Sequence, residues 1–507
     1  MLHPGKEQLM PDFNVVVIGA GNGGLTSALT LARNGVKVLL LERHNIPGGC
    51  ATSFIRGRFE FEVSLHQLSG IGSEQKPGPL RMLLGELGIL EKLELVEMQS
   101  LFRLAIPGKT DITLKADRSS VMETLKASFP REEAGVERFF DFLYKFSAEM
   151  VAVVFARDPA ASRKKYPLFF KYALKPTQQI LDEYLQDPLL KSIISTYWSY
   201  LGLPPSRLPF SDFALLLWAY IEFKAYHLKG GSQALSNTLL ESFLASGGIV
   251  RFNCAARKIL VADQKVRGVL TEDGEEIPCS YVLSNAATLT TYTDLIGPEN
   301  LPGGSFQAFG GKTIGPSGFT VFLGFDCRPE DLGIFETTNF IGRGSDPEHS
   351  FARWRTLDVP DSALLSCYNV SDPDFSPPGT CQAALVTLQY ADPWLSLPPS
   401  QYFGAKHRIA QGMLNFAAQV FPGIFKHLEE VEVATPLTHM RYLGHPGGAI
   451  YGFEQYAKDS SFFENRRSIV QGLYFAGSWV APGGYQTTLQ SGVSAARAIL
   501  KSINKRT

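Results

Sequence analysis

A glycine-rich turn between a buried strand and a helix constrains this chain more than any other feature. The apolar run NVVVI is typical of a buried strand, and the pattern GxGxxG follows at once at Gly19, Gly21 and Gly24. These glycines allow a tight bend, a close approach of the backbone to a pyrophosphate, and close packing of the helix on the strand. The helix N-terminus then faces the phosphates with unpaired N–H groups. The whole turn, including Ala20 and Gly23, is therefore predicted to bind a dinucleotide.

Residues beyond this turn favour FAD over NAD as the dinucleotide. Glu42 ends a second buried strand, where its carboxylate can accept hydrogen bonds from ribose hydroxyls, and Arg43 follows it. A second glycine pair, Gly48 and Gly49, lets another backbone segment approach a long dinucleotide, which an NAD site does not need. A strand that ends at Gly477, before a further glycine turn, can place N–H groups near a flavin ring. These pieces are far apart in sequence and fit together only as one extended FAD site.

Composition and charge narrow the class of protein. The chain has 507 residues, which suggests about three folding units, and its 45% hydrophobic content is ample for large cores. Lysine plus arginine (48) balances aspartate plus glutamate (49), which argues against a protein held to nucleic acid by a general positive field. The six cysteines include no CxxC pair, so we expect reduced thiols in a cytoplasmic protein and no metal site. No apolar run reaches the length of a transmembrane helix.

The pattern typical of nucleotide binding returns in the middle and at the end of the chain, so the predicted fold is discontinuous. We expect an α/β fold in which a Rossmann-type FAD-binding domain combines residues 13–100, 227–300 and 440–507. A mixed α+β substrate domain would combine a helical part, 115–226, with a β-rich part, 300–440.

Apolar spacing also predicts where two helices of the FAD-binding domain begin. The first is predicted to start at Ser236 and the second at Gln490. The segment 482–488, which contains Pro-Gly-Gly, then reads as a glycine turn that precedes the second helix.

The motifs resemble those of the carotenoid and retinoid oxidoreductases, a family of phytoene desaturases, carotene cis–trans isomerases and retinol saturases. The resemblance covers residues 13–500 and includes the stretches FEFEV, WSYLGLPP and KGGSQ. It implies an amine-oxidase-like flavoprotein fold, a large apolar substrate and attachment to a membrane face. It also implies FAD contacts for Ala256, whose backbone would lie near the adenine, and for a turn that carries Gln486, Thr487 and Thr488.

Three residues depart from the pattern of that family. Ser478 stands where an acid is common after the glycine of the last strand, and its hydroxyl can donate to a phosphate or ribityl oxygen. Glu62 stands where an aspartate is common. Tyr485 stands where a small residue is frequent, and its ring is expected to shape the pocket over the flavin. These departures bear on the particular reaction more than on the cofactor.

His66 is the histidine predicted to pass near the isoalloxazine, because it follows the second glycine pair closely. There it would give acid–base help if a proton is added or removed at carbon. The alternative interpretation is a core histidine bonded to the backbone. With His66, Tyr485 is the second residue that we predict to take part in catalysis.

These features predict an FAD-dependent oxidoreductase or isomerase that acts on a long apolar polyene of carotenoid or retinoid type. Desaturation, saturation and cis–trans isomerisation are all compatible with the sequence. The first alternative is oxidoreductive tailoring or reductive cyclisation of a polyene or polyketide-derived natural product. The second, from a different class, is a non-catalytic flavin-binding scaffold.

A peripheral contact with a membrane is also predicted. Residues 163–175 mix five cations with four aromatics, so that Phe169, Phe170 and Tyr172 would dip into the interface. A solvated helix with core aromatics is the alternative. The apolar segment 210–226 is predicted to be core or pocket lining rather than an anchor.

Overall fold

The computed structural model describes residues 13–344, 346–457 and 468–505. The strands are β1 (Phe13–Ile18), β2 (Val38–Leu41), β3 (Ser53–Arg56), β4 (Phe59–Glu62), β5 (Leu95–Glu97), β6 (Ser100–Ile106), β7 (Thr110–Lys115), β8 (Tyr226–Leu228), β9 (Ile249–Arg251), β10 (Ala256–Ala262), β11 (Lys265–Thr271), β12 (Glu276–Ser284), β13 (Ser317–Phe325), β14 (Thr338–Gly342), β15 (Ser362–Cys367), β16 (Cys381–Gln389), β17 (Leu428–Ala434) and β18 (Leu473–Phe475). The helices are α1 (Asn22–Arg33), α2 (Pro79–Glu86), α3 (Arg118–Ser128), α4 (Glu133–Met150), α5 (Pro167–Tyr172), α6 (Thr177–Tyr184), α7 (Pro188–Ile194), α8 (Phe210–Phe223), α9 (Gly231–Ala245), α10 (Thr288–Thr290), α11 (Pro347–Arg353), α12 (Asp392–Leu395), α13 (Tyr402–Ala417), α14 (Pro436–Leu443) and α15 (Tyr485–Asn504).

A parallel sheet joins segments that are far apart in the chain. Its order is β9-β2-β1-β12-β18, and β12 extends further to pair antiparallel with β11, which pairs with β10. Val15 and Val17 of β1 pack into a core with α1 and α15, whereas Val16 packs into a second core with the antiparallel strands β10–β12. Both faces are therefore covered, which explains the continuous apolar run in the sequence. The carboxyl ends of the parallel strands meet at one edge, where open α/β sheets bind ligands.

A second sheet, in the order β17-β13-β16-β15-β14-β6-β7, forms a wall of the largest cavity. Its strands follow a period of two. Phe319, Val321 and Leu323 of β13 pack into a core shared with α13, whereas Thr320 and Phe322 point to the cavity. The same alternation in the neighbouring strands makes one face of this sheet a cavity wall.

Helices α3–α8 form a cap that closes the cavity from another side. Its core is rich in aromatic rings, with Phe142, Phe146 and Phe210 in mutual contact. Leu215, Leu216 and other residues of α8 line the cavity. The prediction that segment 210–226 is core or pocket lining is therefore confirmed.

The expectation that three aromatics of segment 163–175 enter a membrane interface is wrong for two of them. Phe169 and Tyr172 are only 4% and 9% exposed, because they pack into the core of the helical cap. Phe170 is 43% exposed and stays available. Within the described ranges, no helix combines the length and the apolarity that a membrane crossing requires.

Two helices begin earlier than the sequence pattern predicts. Helix α9 begins at Gly231 rather than Ser236, and α15 begins at Tyr485 rather than Gln490. In α15, the hydroxyls of Thr487 and Thr488 donate back to carbonyls of residues 482–485, which the preceding Pro-Gly-Gly supplies in part. The residues predicted as a turn, 485–488, are thus the first turn of a helix.

Candidate functional site

The glycines of the first turn stand where a side chain cannot fit. Gly19 has a φ of +93°, in the left-handed region. A Cβ on Gly24 would lie 1.8 Å from the Gly19 carbonyl oxygen, and a Cβ on Gly21 would lie 2.8 Å from Nδ2 of Asn285. Helix α1 also has no side chain that caps its N-terminus. Its first N–H groups are therefore left for a ligand, and an anionic one is favoured by the helix dipole.

The second glycine pair lies directly on the first turn. The N–H of Gly48 donates to the Ala20 carbonyl at 2.8 Å. A Cβ on Gly49 would lie 3.4 Å from the Cα of Gly21, and both residues of the pair have positive φ. Two backbone segments without side chains therefore face the same space, as a pyrophosphate needs.

Glu42 is held at the carboxyl end of β2 by main-chain groups. Its Oε2 accepts from the N–H of Ala20 at 2.6 Å, and its Oε1 accepts from the N–H of His44 at 2.8 Å. The residue is 8% exposed and lines the cavity. A carboxylate has about four acceptor positions, so two remain for the hydroxyls of a ribose.

Ala256 and Arg43 lie beside Glu42. The N–H of Cys254 donates to the Glu42 carbonyl at 2.9 Å, which brings Ala256, at the start of β10, to the cavity wall. Arg43 also lines the cavity, but its Nη2 donates to the carbonyls of Arg441 and Tyr442 at the end of α14. Arg43 thus ties α14 to the site through a helix C-terminus.

The C-terminal segment closes the site. A Cβ on Gly23 would lie 2.7 Å from the nitrogen of Gly477, so the first and last pieces of the site are in contact. The N–H of Gly477 donates to Oγ of Ser491 at 2.9 Å. The N-terminus of α15 follows, with no acidic residue in its first turn and no side-chain cap. Its free N–H groups favour electron-rich ligand atoms. Ser478, Gln486, Thr487 and Thr488 all line the cavity.

One cavity of about 1710 Å³ joins these pieces to an apolar arm. Most small-molecule sites enclose about 300–1,000 Å³, so this one has room for a dinucleotide and a second molecule. Among the predicted site residues, Ala20 and Gly24 do not line it, because they support the turn from behind. The side-chain-free cradle, the placed carboxylate and the two helix N-termini fit FAD.

Asn285 is a site residue that the sequence interpretation missed. It follows β12 at the same sheet edge, and its side chain touches the positions where Gly21, Gly23 and Gly477 would carry a Cβ. Its amide therefore fixes the spacing of the first and last glycine turns. A polar residue directly after a buried strand was the signal that could have identified it.

The arm of the cavity beyond this cradle has mostly apolar and aromatic walls. One face of the second sheet contributes Leu104, Phe340 and Leu364, and the helical cap contributes Trp198 and Tyr200. The ring of Trp198 stacks on Trp354 at 4.8 Å. An elongated apolar molecule would be kept from water here, since these walls offer few hydrogen-bonding groups.

His66 lies on the cavity wall, where its Nδ1 is 3.0 Å from Oγ of Ser366 and its ring stacks on Tyr200. Burial lowers the pKa of this imidazole to about 4. The ring is therefore neutral near pH 7 and can offer one donor and one acceptor, which excludes an imidazolium acid as its resting form.

Tyr485 is fixed by a buried network that sequence reasoning did not identify. Its hydroxyl lies 2.8 Å from Oγ of Ser64 and 2.7 Å from Oγ of Ser232. Glu62 accepts from Oγ and the N–H of Ser232 and from the N–H groups of Ser64 and Leu65. Burial, together with the Glu62 carboxylate, holds the pKa of the Tyr485 phenol far above its ordinary value. The phenol is a neutral hydrogen-bonding group.

Comparisons with known proteins agree with this geometry. The sequence profile of the family described as flavin containing amine oxidoreductase matches residues 23–500. All-trans-retinol 13,14-reductase of Danio rerio is 24% identical over 530 residues, which cover 96% of this chain and 86% of that protein. Prolycopene isomerase of Daucus carota chloroplasts is 24% identical over 510 residues, which cover 96% and 80%.

Solved structures show the same fold. Cyclohexylamine oxidase of Brevibacterium oxydans IH-35A superposes with a TM-score of 0.61 at 15% identity, over 97% of this chain and all of that one. An oxidoreductase of Methanosarcina mazei gives a TM-score of 0.62 at 19% identity, over 96% of this chain. The fold is therefore that of the amine-oxidase-like FAD proteins.

Proposed function

Since the chain belongs to the family of flavin-containing amine oxidoreductases, we propose that it is an FAD enzyme that acts on a long apolar polyene of carotenoid or retinoid type. FAD is its cofactor. The observation that carries the substrate proposal is the single cavity, in which the dinucleotide cradle opens into an arm with apolar and aromatic walls. The two relatives described above, a retinol reductase and a prolycopene isomerase, support the same substrate class.

The residues predicted from the sequence have distinct roles in this proposal. The glycine turns would hold the pyrophosphate of FAD, Glu42 would bind a ribose, and the backbone near Ala256 would lie beside the adenine. The turn around Ser478 and the N-terminus of α15 would face the flavin side of the molecule. Bound FAD supplies the hydride chemistry.

The walls of the arm would orient the polyene and exclude water. His66 would act as a neutral hydrogen-bonding group, because burial keeps its pKa near 4. Tyr485 would act through position rather than as a base, because its phenol stays protonated. Neither residue is therefore assigned as an acid or a base in this proposal. Hydride transfer and isomerisation are compatible with this, since they need little acid–base chemistry from the protein.

A peripheral membrane contact is the second part of the proposal. Met82 and Phe155 line the cavity and are 64% and 41% exposed, so each marks a place where it opens to solvent. Phe170 and Leu174 are 43% and 51% exposed on the α5 segment, whose Phe169 N–H donates to Glu149 near the end of α4. Exposed cations of segment 163–175, among them Lys171, are close to them in sequence. A polyene could thus enter from a bilayer without crossing water.

A mass comparison of polyenes tests the proposed reaction. Polyenes would be extracted from a carotenoid-producing host with and without the protein, and compared by mass and retention time. Loss of two hydrogens would identify desaturation, gain of two would identify saturation, and unchanged mass with altered retention would identify isomerisation. A flavin-loaded protein that changes none of them would contradict the carotenoid substrate.

A further inference from the structure

A buried carboxyl group lies on the face of α8 that forms the apolar arm. Asp212, Leu215, Leu216 and Ala219 all line the cavity. Their spacing of i, i+3, i+4 and i+7 places them on one helical face. Asp212 is only 4% exposed. The first position of an otherwise apolar face is therefore an acid.

The fold does not need this carboxyl to cap α8. The N-cap residue is Pro209, which has no N–H for the side chain of Asp212 to accept from. The first two amides of the helix are already paired, since Phe210 N–H donates to the Lys175 carbonyl at 2.8 Å and Ser211 N–H donates to the Ala173 carbonyl at 2.9 Å. A capping hydrogen bond therefore does not explain why an acid stands at this position.

Asp212 also has no ionic partner among the residues that the structure describes. Its Oδ2 accepts a hydrogen bond from the hydroxyl of Ser211 at 3.1 Å, and its carboxyl group also accepts from its own main-chain N–H. Burial without a cation raises the pKa of this carboxyl to about 7. Such a group is costly to keep in an apolar wall, and buried unpaired acids concentrate at functional sites for that reason.

We propose that Asp212 forms a polar subsite in the arm that binds a hydroxyl group on the polyene substrate. A hydroxyl suits this position because it can donate to an ionised carboxyl and accept from a neutral one. The inference rests on the proposed function and deepens it. It assigns the substrate to the polyene alcohols rather than to the polyene hydrocarbons. Helix α8 would then fix the position of the hydroxyl-bearing end of the polyene in the arm.

Binding of a matched pair of probes tests this subsite without requiring turnover. All-trans-retinol and its methyl ether share one polyene, but the ether cannot donate a hydrogen bond. Their dissociation constants for the FAD-loaded protein would be measured by quenching of tryptophan fluorescence. At about pH 8.5 Asp212 is ionised and can only accept, since its pKa is about 7. We expect the alcohol to bind tenfold or more tightly than the ether to the wild type under this condition, because a site built for a donating hydroxyl rejects the analogue without it.

Variants of Asp212 identify the residue responsible. Asp212→Leu should bind both probes within about twofold of each other, since it removes the polar group. Asp212→Asn keeps the shape and some hydrogen-bonding capacity, so it should retain part of the preference and serves if the leucine variant does not fold. Asp187→Asn is the matched control, because Asp187 caps the neighbouring helix α7 outside the cavity and asparagine caps equally well. It should keep the full preference.

The outcomes separate this inference from the proposed function. Equal affinities for the two probes in the wild type would overturn the subsite and leave the polyene proposal intact. A preference that survives in Asp212→Leu would also overturn the assignment to Asp212. Failure of both probes to bind the flavin-loaded wild type would overturn the retinoid part of the proposed substrate class, and the mass comparison of polyenes tests the carotenoid part.

Discussion

Gly24 lies where α1 crosses the end of β1, and the Gly19 carbonyl oxygen occupies the space that a side chain would need. We expect Gly24→Ala to lose FAD and to cost about 1–3 kcal/mol or more of unfolding free energy, because an inserted methyl must push helix and strand apart. The ratio of flavin to protein absorbance of the purified variant measures the first effect. Thermal unfolding measures the second.

Gly85→Ala is the control for this substitution. Gly85 is also a helical glycine, but the nearest atom to its Cβ position is a flexible leucine carbon at 4.0 Å. This variant should keep its FAD and gain about 0.5–1 kcal/mol from helix propensity. A Gly24→Ala protein with full flavin and an unchanged unfolding midpoint would contradict the close packing described here.

Three histidines of the cavity wall predict how stability depends on pH. Burial lowers the pKa values of His66, His439 and His445 from 6.5 to about 4. Between these values the unfolded chain binds protons that the folded chain does not, so the unfolding free energy falls as the pH drops from 6.5 to 4. Asp212, whose pKa is raised from 3.8 to about 7, acts in the opposite direction over the whole of this range, so it offsets part of the effect of the three histidines.

A single substitution isolates one of these contributions. His439→Gln should flatten the pH dependence by on the order of 1–3 kcal/mol between pH 6.5 and 4. Denaturant unfolding across this range would measure it. His407→Gln, on the exposed side of α13, should leave the wild-type curve unchanged. If His439→Gln and His407→Gln give the same curve, His439 is not the neutral buried group that its surroundings imply.

At the scale of elements, one phenol joins the N-terminus of α15 to two serines of other segments. Tyr485→Phe would leave the hydroxyls of Ser64 and Ser232 short of a partner, so we expect a loss of about 1–3 kcal/mol and a shifted flavin absorbance spectrum. Urea unfolding and the visible spectrum of the holoprotein are the measurements.

Tyr474→Phe is the matched control at the other end of α15. The hydroxyl of Tyr474 lies 2.7 Å from Oγ of Ser502, in a half-buried pair that does not line the cavity. This variant should lose less stability and keep the wild-type flavin spectrum. Equal spectral changes in the two variants would contradict a position of the Tyr485 hydroxyl next to the flavin.

The sequence predicted elements where the information is local. The strand, glycine turn and helix at 13–33 follow from a pattern of adjacent residues, and the structure has them as predicted. The start of α15 could not be read in this way, because threonines have low helix propensity and follow Pro-Gly-Gly. Their hydroxyls donate back to carbonyls of that turn, which supports a helix that begins at Tyr485.

The rest of the candidate site depends on contacts between distant residues. Glu62 reaches Ser232, which is 170 residues away, and thereby supports the start of α9 at Gly231. Asn285 matters because β12 lies next to β1 in the sheet. Such pairings follow from topology, which the local pattern does not contain. The residues assigned to FAD binding and to catalysis remain predictions, which the variants above can test.

At the scale of the whole molecule, exposed apolar residues together with the cations of segment 163–175 predict binding to membranes and a preference for anionic ones. Vesicles of phosphatidylcholine with 30% phosphatidylglycerol should carry the protein to the top of a flotation gradient, and high salt should weaken this binding. The double substitution Phe170→Glu and Leu174→Glu should abolish it, because both side chains face solvent next to the cations of segment 163–175.

Phe403→Glu is the control for flotation. Phe403 is 66% exposed on α13, which packs on the second sheet rather than on the helical cap. This variant should float like the wild type. Binding that all of these variants share, or that vesicles of pure phosphatidylcholine reproduce, would contradict a specific membrane face on the helical cap.

The contact between the first and last helices of the cradle has a consequence for the biogenesis of the protein. The hydroxyl of Thr26 in α1 donates to the carbonyl of Leu489 in α15, across 463 residues of sequence. During translation the ribosome completes β1 and α1 long before it makes their final partner. An early unit of this kind has apolar surface without its cover and only part of its phosphate cradle. We therefore expect capture of FAD to follow synthesis of both ends of the fold, since the cradle is complete only when α15 has packed on α1.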